Sequence, residues 1–368
     1  MKKTALVIGG GITGCCAAHL LSQKEFDVTL VEQASILGGG VKTYHYGGHP
    51  FTYGPRHFLT KNETVFNYIN GVIPMRRIQE HEFLTYVECD GNFYTYPIHA
   101  DDIPLMPDRE QIQKELGKRK PIESPKNLEE YWIQSIGRTL YSKFVESYSK
   151  KMWKIESNIL IDDFAWSPKG VALNTGPKQA WTTHISAFPE ALNGYDDYFQ
   201  IATRSARVLL KTTIADYDIE QRRVQIGTDW AQFDIIISTV SPEVIFKNAF
   251  GPLTWLGRDF LQLVLPMEEV FPKNVYFLYY AGEEPFTRIV EYKKFYRNKA
   301  PTSLLGIEIP SHRNKLYAYP ISSEQAKAQK YLDALPKNVY SIGRFGSYQY
   351  KLDIAPSFEQ CFKVIDSL

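Results

Sequence analysis

The chain has 368 residues, 44% hydrophobic and 14% aromatic, with 42 Lys and Arg against 41 Asp and Glu. That length buries a sizeable core in more than one domain, and the balanced charge excludes a protein that grips nucleic acid through excess positive charge. No apolar run approaches the roughly 18 residues of a membrane span, and Cys15, Cys16, Cys89 and Cys361 lack the C-x-x-C spacing of a metal or redox motif, so a soluble cytoplasmic protein in a reduced compartment is expected.

The first element is a buried strand over Ala5–Ile8, which turns into glycines too early for a signal peptide. Gly9, Gly11 and Gly14 follow as G-x-G-x-x-G, with Ile12 and Thr13 between them. Ala17, Ala18, Leu20 and Leu21 then give a helix an apolar face, and Val28–Val31 form a second strand ending at Glu32 and Gln33. Each part has a physical task. Gly9 permits a tight turn, Gly11 lets backbone N–H groups approach a pyrophosphate, and Gly14 lets helix and strand pack closely. The helix N-terminus adds partial positive charge for phosphate. Glu32 is placed to accept hydrogen bonds from a ribose diol, and its charge disfavours a 2′-phosphate. Strand, loop, helix, strand and acid in register make a dinucleotide site. The second glycine cluster, Gly38, Gly39 and Gly40 in "ASILGGGVKTY", lets the chain pass over the rest of an extended dinucleotide and favours FAD over NAD.

Next, "GGHPFTYGPRHFLTKNETVFNYI" runs through a glycine-proline turn into a helix over 62–69. Residues 82–99 alternate and turn at Asp90-Gly91, a hairpin signal. A helical insert is expected over about 105–165, where Tyr131, Ile136, Leu140, Phe144, Tyr148 and Met152 recur at helical spacing. Residues 166–183 read as a long loop, the kind that often serves as a lid. "FDIIISTVSP" (233–242) suits a return strand, 275–292 and 305–320 suggest an antiparallel sheet, and "NVYSIGRFG" leads by a last strand into a closing helix. The fold class is therefore α/β: a discontinuous FAD-binding Rossmann-type domain (1–75, 185–250 and 335–368) with a helical insertion (104–184) and an antiparallel β-sheet domain (76–103 and 251–334).

Several stretches, in order over nearly the whole chain, resemble the flavin-dependent UDP-galactopyranose mutases. They are "VIGGGITG" with Glu32, "TYGPRHFLTKNETVFNYI", "GNFYTYPI", "GRTLYSKFVESYSKKMW", "EPFTRIVEYKKF", "YAYPI" and "IGRFGSYQYKLD". The resemblance implies FAD beside Gly9, Gly11, Ile12, Thr13, Gly14, Glu32, Gln33, Gly39 and Gly40, the loop Tyr53, Gly54, Pro55, Arg56 and His57, and Gly343 with Arg344. It implies that Arg288, Tyr319 and Tyr350 hold a sugar-nucleotide diphosphate, with Arg344 near both flavin and phosphates as the fourth catalytic group. Phe144, Tyr148 and Trp153 fall where the family holds uracil. For Arg288 an ion pair with Glu291 is the alternative, for Arg344 a carboxylate pair at a strand end, and for Tyr148 and Trp153 a place in the core.

The chain also departs from that family. Where the family has histidines in G-P-H-I-F-H-T, this chain has Arg56 and Leu59. His99 replaces the asparagine of P-I-N, and Asp353 is offset by one from the family's closing acid. Ala172 in "VALN" takes the place of a lid arginine, with Arg56, Lys169 and Lys178 as candidate substitutes. The implied reaction is ring contraction of a nucleotide sugar without net redox change. Reduced flavin, recharged by a reductant such as NADPH, attacks the anomeric carbon through N5 and expels the diphosphate, and the ring recloses through the 4-hydroxyl. UDP-galactopyranose is the default substrate; UDP-N-acetylgalactosamine, a deoxyhexose or a heptose is the alternative. An amine-oxidase-type oxidoreductase and a non-catalytic nucleotide-sugar binder are the rival readings. No metal site, nucleic acid or membrane partner is expected, and a homodimer is left open.

Overall fold

The computed structural model describes residues 2–162 and 172–368. Its first layer is a parallel sheet in the order 207–209, 27–31, 4–8, 235–238, 339–341. Thr4–Ile8 is central, pairing in parallel with Asp27–Val31 on one side and Ile235–Ser238 on the other. A strand covered on both faces must be apolar throughout, and Ala5, Leu6 and Val7 are fully buried. The helix Ile12–Gln23 packs against the closing helix Ile354–Asp366. The sheet draws on both ends and the middle of the sequence, as a discontinuous Rossmann-type unit requires.

The second large sheet has the order 315–318, 255–265, 303–311, 288–291, 275–280, 82–87, 92–95. It is antiparallel except at one seam, where Val275–Tyr280 runs parallel to Glu82–Val87. The expected hairpin forms between Glu82–Val87 and Asn92–Thr95, with Gly91 in the left-handed region (φ 61°) closing its turn. Register across this sheet sets Arg288 opposite Glu308.

A helical layer covers Arg109–Gly117, Leu128–Tyr141 and Ser147–Trp153, the last two joined by a wider helical turn over Ser142–Glu146. The helix expected at 62–69 spans Glu63–Val72, and the Asn62 side chain caps it by accepting from the N–H groups of Thr64 and Val65 (3.0 and 3.4 Å). Of the expected loop at 166–183, residues 166–171, including Lys169, lie outside the described residues. Among the described residues no helix is long and apolar enough to cross a membrane.

Candidate active site

One cavity of about 1150 Å³ opens where the three layers meet. It lies outside the carboxyl ends of the parallel strands, where open α/β sheets bind ligands. Gly11 follows the strand ending at Ile8, Thr239 the strand ending at Ser238, and Arg344 the strand ending at Ser341; all three line the cavity. Its volume lies at the upper end of the roughly 300–1,000 Å³ typical of small-molecule pockets and slightly beyond it, as a site for an extended ligand requires.

The glycine loop is shaped as a phosphate cradle. Gly9 adopts φ 97°, and a Cβ on Gly14 would lie 1.9 Å from the Gly9 carbonyl oxygen, so helix and strand touch only because position 14 has no side chain. At Gly11 a Cβ meets nothing within 4 Å, and at Gly39 it meets only the Cα of Gly11 at 3.3 Å. The two glycine clusters thus face each other as bare backbone, held by the Gly38 N–H donating to the Gly10 carbonyl (2.8 Å). No side chain caps the helix starting at Ile12, which leaves its first N–H groups for an anion. A cradle without side chains, ending on uncapped donors, fits a dinucleotide diphosphate.

Ile12, Thr13, Gly40, Pro55, Arg56 and His57 line the same cavity. Gly343 supports it from behind, since a Cβ there would press on Thr13 Oγ1 at 2.9 Å. Glu32 does not line the cavity; its carboxylate accepts the N–H groups of Gly10 (2.6 Å) and Ala34 (2.7 Å) and clamps the second strand to the glycine loop. Gln33 is exposed, and Tyr53 stacks between Tyr44 and Phe260, ring centroids 4.8 Å from each. Gly54 serves by close approach, a Cβ there falling 3.2 Å from Glu308 Oε1.

On the substrate side, Phe144, Tyr148 and Trp153 all reach the cavity from the helical layer, and Tyr350 joins them with its ring 4.7 Å from that of Trp153. Tyr319 does not. Its strand ends at Ala318, and its hydroxyl donates to the Trp153 carbonyl (3.0 Å), so it braces the aromatic wall from outside.

Both expected arginines line the cavity, and both carry carboxylate partners. Arg288 donates through Nε and Nη2 to the two oxygens of Glu308 (2.9 and 2.8 Å), a bidentate pair set by strand register. Burial opposes its charge, but Glu308 prevails and holds the guanidinium's pKa well above its ordinary value. Glu291, the partner anticipated from proximity in sequence, instead accepts the N–H groups of Val270 and Phe271 (3.0 and 2.8 Å). Arg344 donates to Asp353 and to the Leu352 carbonyl (2.9 Å).

Among the described residues, the cavity-lining guanidiniums without a carboxylate partner are Arg56 and Arg258. Arg258 is 1% exposed and donates to the Gly257 carbonyl (2.7 Å) and Met152 Sδ (2.8 Å). It escaped notice in the sequence because it stands in an ordinary alternating strand. Arg56 Nε is buried with no hydrogen-bond partner among the described residues. Lys178 is tied to Asp102 (2.6 Å), and His99 uses one ring nitrogen to cap the turn at Asp101 and the other to bond the Gly176 carbonyl (2.9 Å). Of the candidate substitutes for the lid cation, Arg56 is therefore the one that the described residues leave available in the cavity. Tyr317 and Tyr279 also line it and had not been singled out.

Comparison with known proteins agrees with this architecture. The chain matches the UDP-galactopyranose mutase family over residues 143–350 and an NAD(P)-binding Rossmann-like domain over residues 7–72. It is 24% identical to a probable UDP-galactopyranose mutase of Klebsiella pneumoniae, covering 99% of this chain and 94% of that protein. It is 22% identical to a dTDP-fucopyranose mutase of Escherichia coli, covering 94% and 93%. A crystal structure of reduced UDP-galactopyranose mutase superposes with a TM-score of 0.85 at 17% identity, covering 99% of this chain and 95% of that one.

Proposed function

The chain belongs to the UDP-galactopyranose mutase family, and from that premise we propose that its cavity contracts the hexose ring of UDP-galactopyranose to the furanose form beside a bound FAD. The protein is a flavin-dependent isomerase acting on a nucleotide-linked sugar. The observation that carries the specific reading is a single cavity joining a bare-glycine diphosphate cradle to a wall of arginines and tyrosines.

A bound flavin, kept reduced by a reductant such as NADPH, would supply nucleophilic chemistry at the sugar's anomeric carbon. The protein's own part is binding and electrostatics. Gly11, Ile12 and Thr13 hold the FAD diphosphate at the helix N-terminus. Phe144, Tyr148 and Trp153 hold the uracil. Expelling a nucleoside diphosphate develops negative charge, and donors already fixed in place stabilise it without reorganising. Arg288, Arg344 and Tyr350 fill that role, helped by Arg258 and Arg56, whose charges no carboxylate neutralises among the described residues. Tyr319 acts indirectly, through the Trp153 backbone.

The test is direct. Reduced holoprotein is incubated with UDP-galactose, UDP-N-acetylgalactosamine and dTDP-fucose, and pyranose and furanose forms are separated. UDP-galactofuranose should form without stoichiometric use of reductant. Preference for dTDP-fucose would move the assignment to a deoxysugar, a second reading favoured by the likeness to the fucopyranose mutase and by Ala172 at the lid position. Turnover only with net electron transfer to an acceptor would overturn it.

A further inference from the structure

Pyranose and furanose forms of one hexose differ by one bond and one proton. The C1–O5 bond breaks, a C1–O4 bond forms, and the hydrogen on O4 in the first form is on O5 in the second. Nothing in the roles assigned above moves that proton.

Tyr317 offers a group of that kind in the wall of the cavity. It lies in the strand Lys315–Ala318, lines the cavity and is 8% exposed. Among the described residues its hydroxyl has no hydrogen-bond partner on the protein, yet it is not sealed from the cavity. The guanidiniums of Arg258 and Arg344 lie over its ring, at 4.8 and 5.3 Å from the centroid, and the Tyr350 ring stands 5.3 Å away. Arg56, Glu308, Arg288 and Tyr279 complete the charged and titratable groups that act on it from the neighbouring elements. Four arginines stand against two carboxylates, Glu308 and the Asp353 bonded to Arg344, so the net charge around the ring favours a phenolate.

We propose that Tyr317 is the acid–base group of the ring contraction, giving its phenolic proton to O5 and taking the O4 proton in its place. This inference rests on the mutase reading. As the C1–O5 bond breaks, its electron pair passes to O5, which takes the phenolic proton. The phenolate, held by Arg56, Arg258 and Arg344, then removes the O4 proton as an O4 lone pair closes on C1. Tyr317 ends as it began, and no oxidant or reductant is consumed in the exchange. Electrostatics support the assignment. Burial alone would raise the phenol's pKa, but the charges of Arg56 and Arg258, with Glu308 opposing and Arg344 adding, hold it below the ordinary tyrosine value.

Tyr317→Phe keeps the ring under the guanidiniums and removes only the hydroxyl. In reduced holoenzyme it should lower kcat by about 100-fold or more while KM stays within about threefold. The wild-type alkaline limb of kcat, where the phenol is lost, should disappear in this variant and move to higher pH in Arg56→Gln. Ultraviolet difference titration of the unliganded holoprotein gives a readout apart from turnover: one tyrosine should ionise ahead of the rest in wild type and not in Tyr317→Phe. Matching titration curves, or a kcat within twofold of wild type, overturns the proposal. A wild-type protein that contracts no nucleotide sugar overturns the mutase reading itself, and the proton role with it; the unmutated enzyme thus separates that failure from the first.

Discussion

At the scale of single residues, the ion pair between Arg288 and Glu308 governs how the cavity bears its own charge in ligand-free protein. Glu308 is 1% exposed, and removing one partner of a buried pair leaves the other uncompensated, at about 3–5 kcal/mol. Glu308→Gln keeps the shape and removes the charge, so ligand-free protein should melt several degrees lower. A bound diphosphate replaces the missing negative charge. Differential scanning of both proteins with and without UDP should therefore show a larger ligand-induced rise in Tm for the variant; equal rises would mean that Arg288 does not face the nucleotide. Arg288 was visible in the sequence, but its partner was not. Glu291 is three residues away along one strand, whereas Glu308 lies opposite across the sheet, and a register of that kind cannot be read from spacing along one chain.

At the scale of elements, the glycine loop and its helix were legible because each requirement is local. Turn, close approach and uncapped N-terminus all fall within Ile8–Gly14. Gly14→Ala tests the packing requirement. Its Cβ would meet the Gly9 carbonyl at 1.9 Å, and a backbone neighbour cannot rotate aside, so the helix must move at a cost of roughly 1–3 kcal/mol. The purified variant should retain little FAD by its visible absorbance, and full flavin content would contradict the close-packing argument. The strand at 255–265 shows the opposite case. Arg258 alternates there with residues of every polarity, and nothing local marks it as the side chain that crosses to Met152 and the cavity. Tyr317 and Tyr319 share the motif "YAYPI", and the sequence reading singled out only the second, which does not line the cavity. The strand ends between them, and only the three-dimensional path shows that the first faces the cavity while the second bonds the Trp153 backbone.

At the scale of the whole molecule, buried histidines work against stability in acid. His81 is 2% exposed with neither ring nitrogen bonded among the described residues, and burial pushes its pKa down to about 3. His57, in edge contact with it at 5.2 Å, is lowered well below the ordinary value, first by burial and then by the His81 and Arg288 charges. The unfolded chain binds these protons near pH 6.5 and the folded chain does not. Stability is therefore full above about pH 6.5 and falls as the pH drops toward 3, by up to about 1.4 kcal/mol per unit for His81. His81→Phe, which keeps a ring among Phe83, Tyr276 and Trp181, should leave Tm at pH 7.5 unchanged or higher and flatten its decline between pH 6 and 4. An unchanged acid slope would assign the loss to other groups.

The parallel sheet has one more consequence, for the order of events at synthesis. Its central strand, Thr4–Ile8, leaves the ribosome long before the flanking strand Ile235–Ser238, and Val339–Ser341 follows about a hundred residues later still. The cavity walls are equally dispersed, with Gly11 near the start, Arg258 well past the middle and Arg344 close to the end. Until the segment around Val339–Arg344 has been made, the glycine loop has only part of its sheet beneath it and lacks the wall that Arg258 and Arg344 supply. Holding the cofactor thus waits on strands made far apart in time, and the yellow colour of a bound flavin marks a chain in which Val339–Arg344 has found Thr4–Gly14.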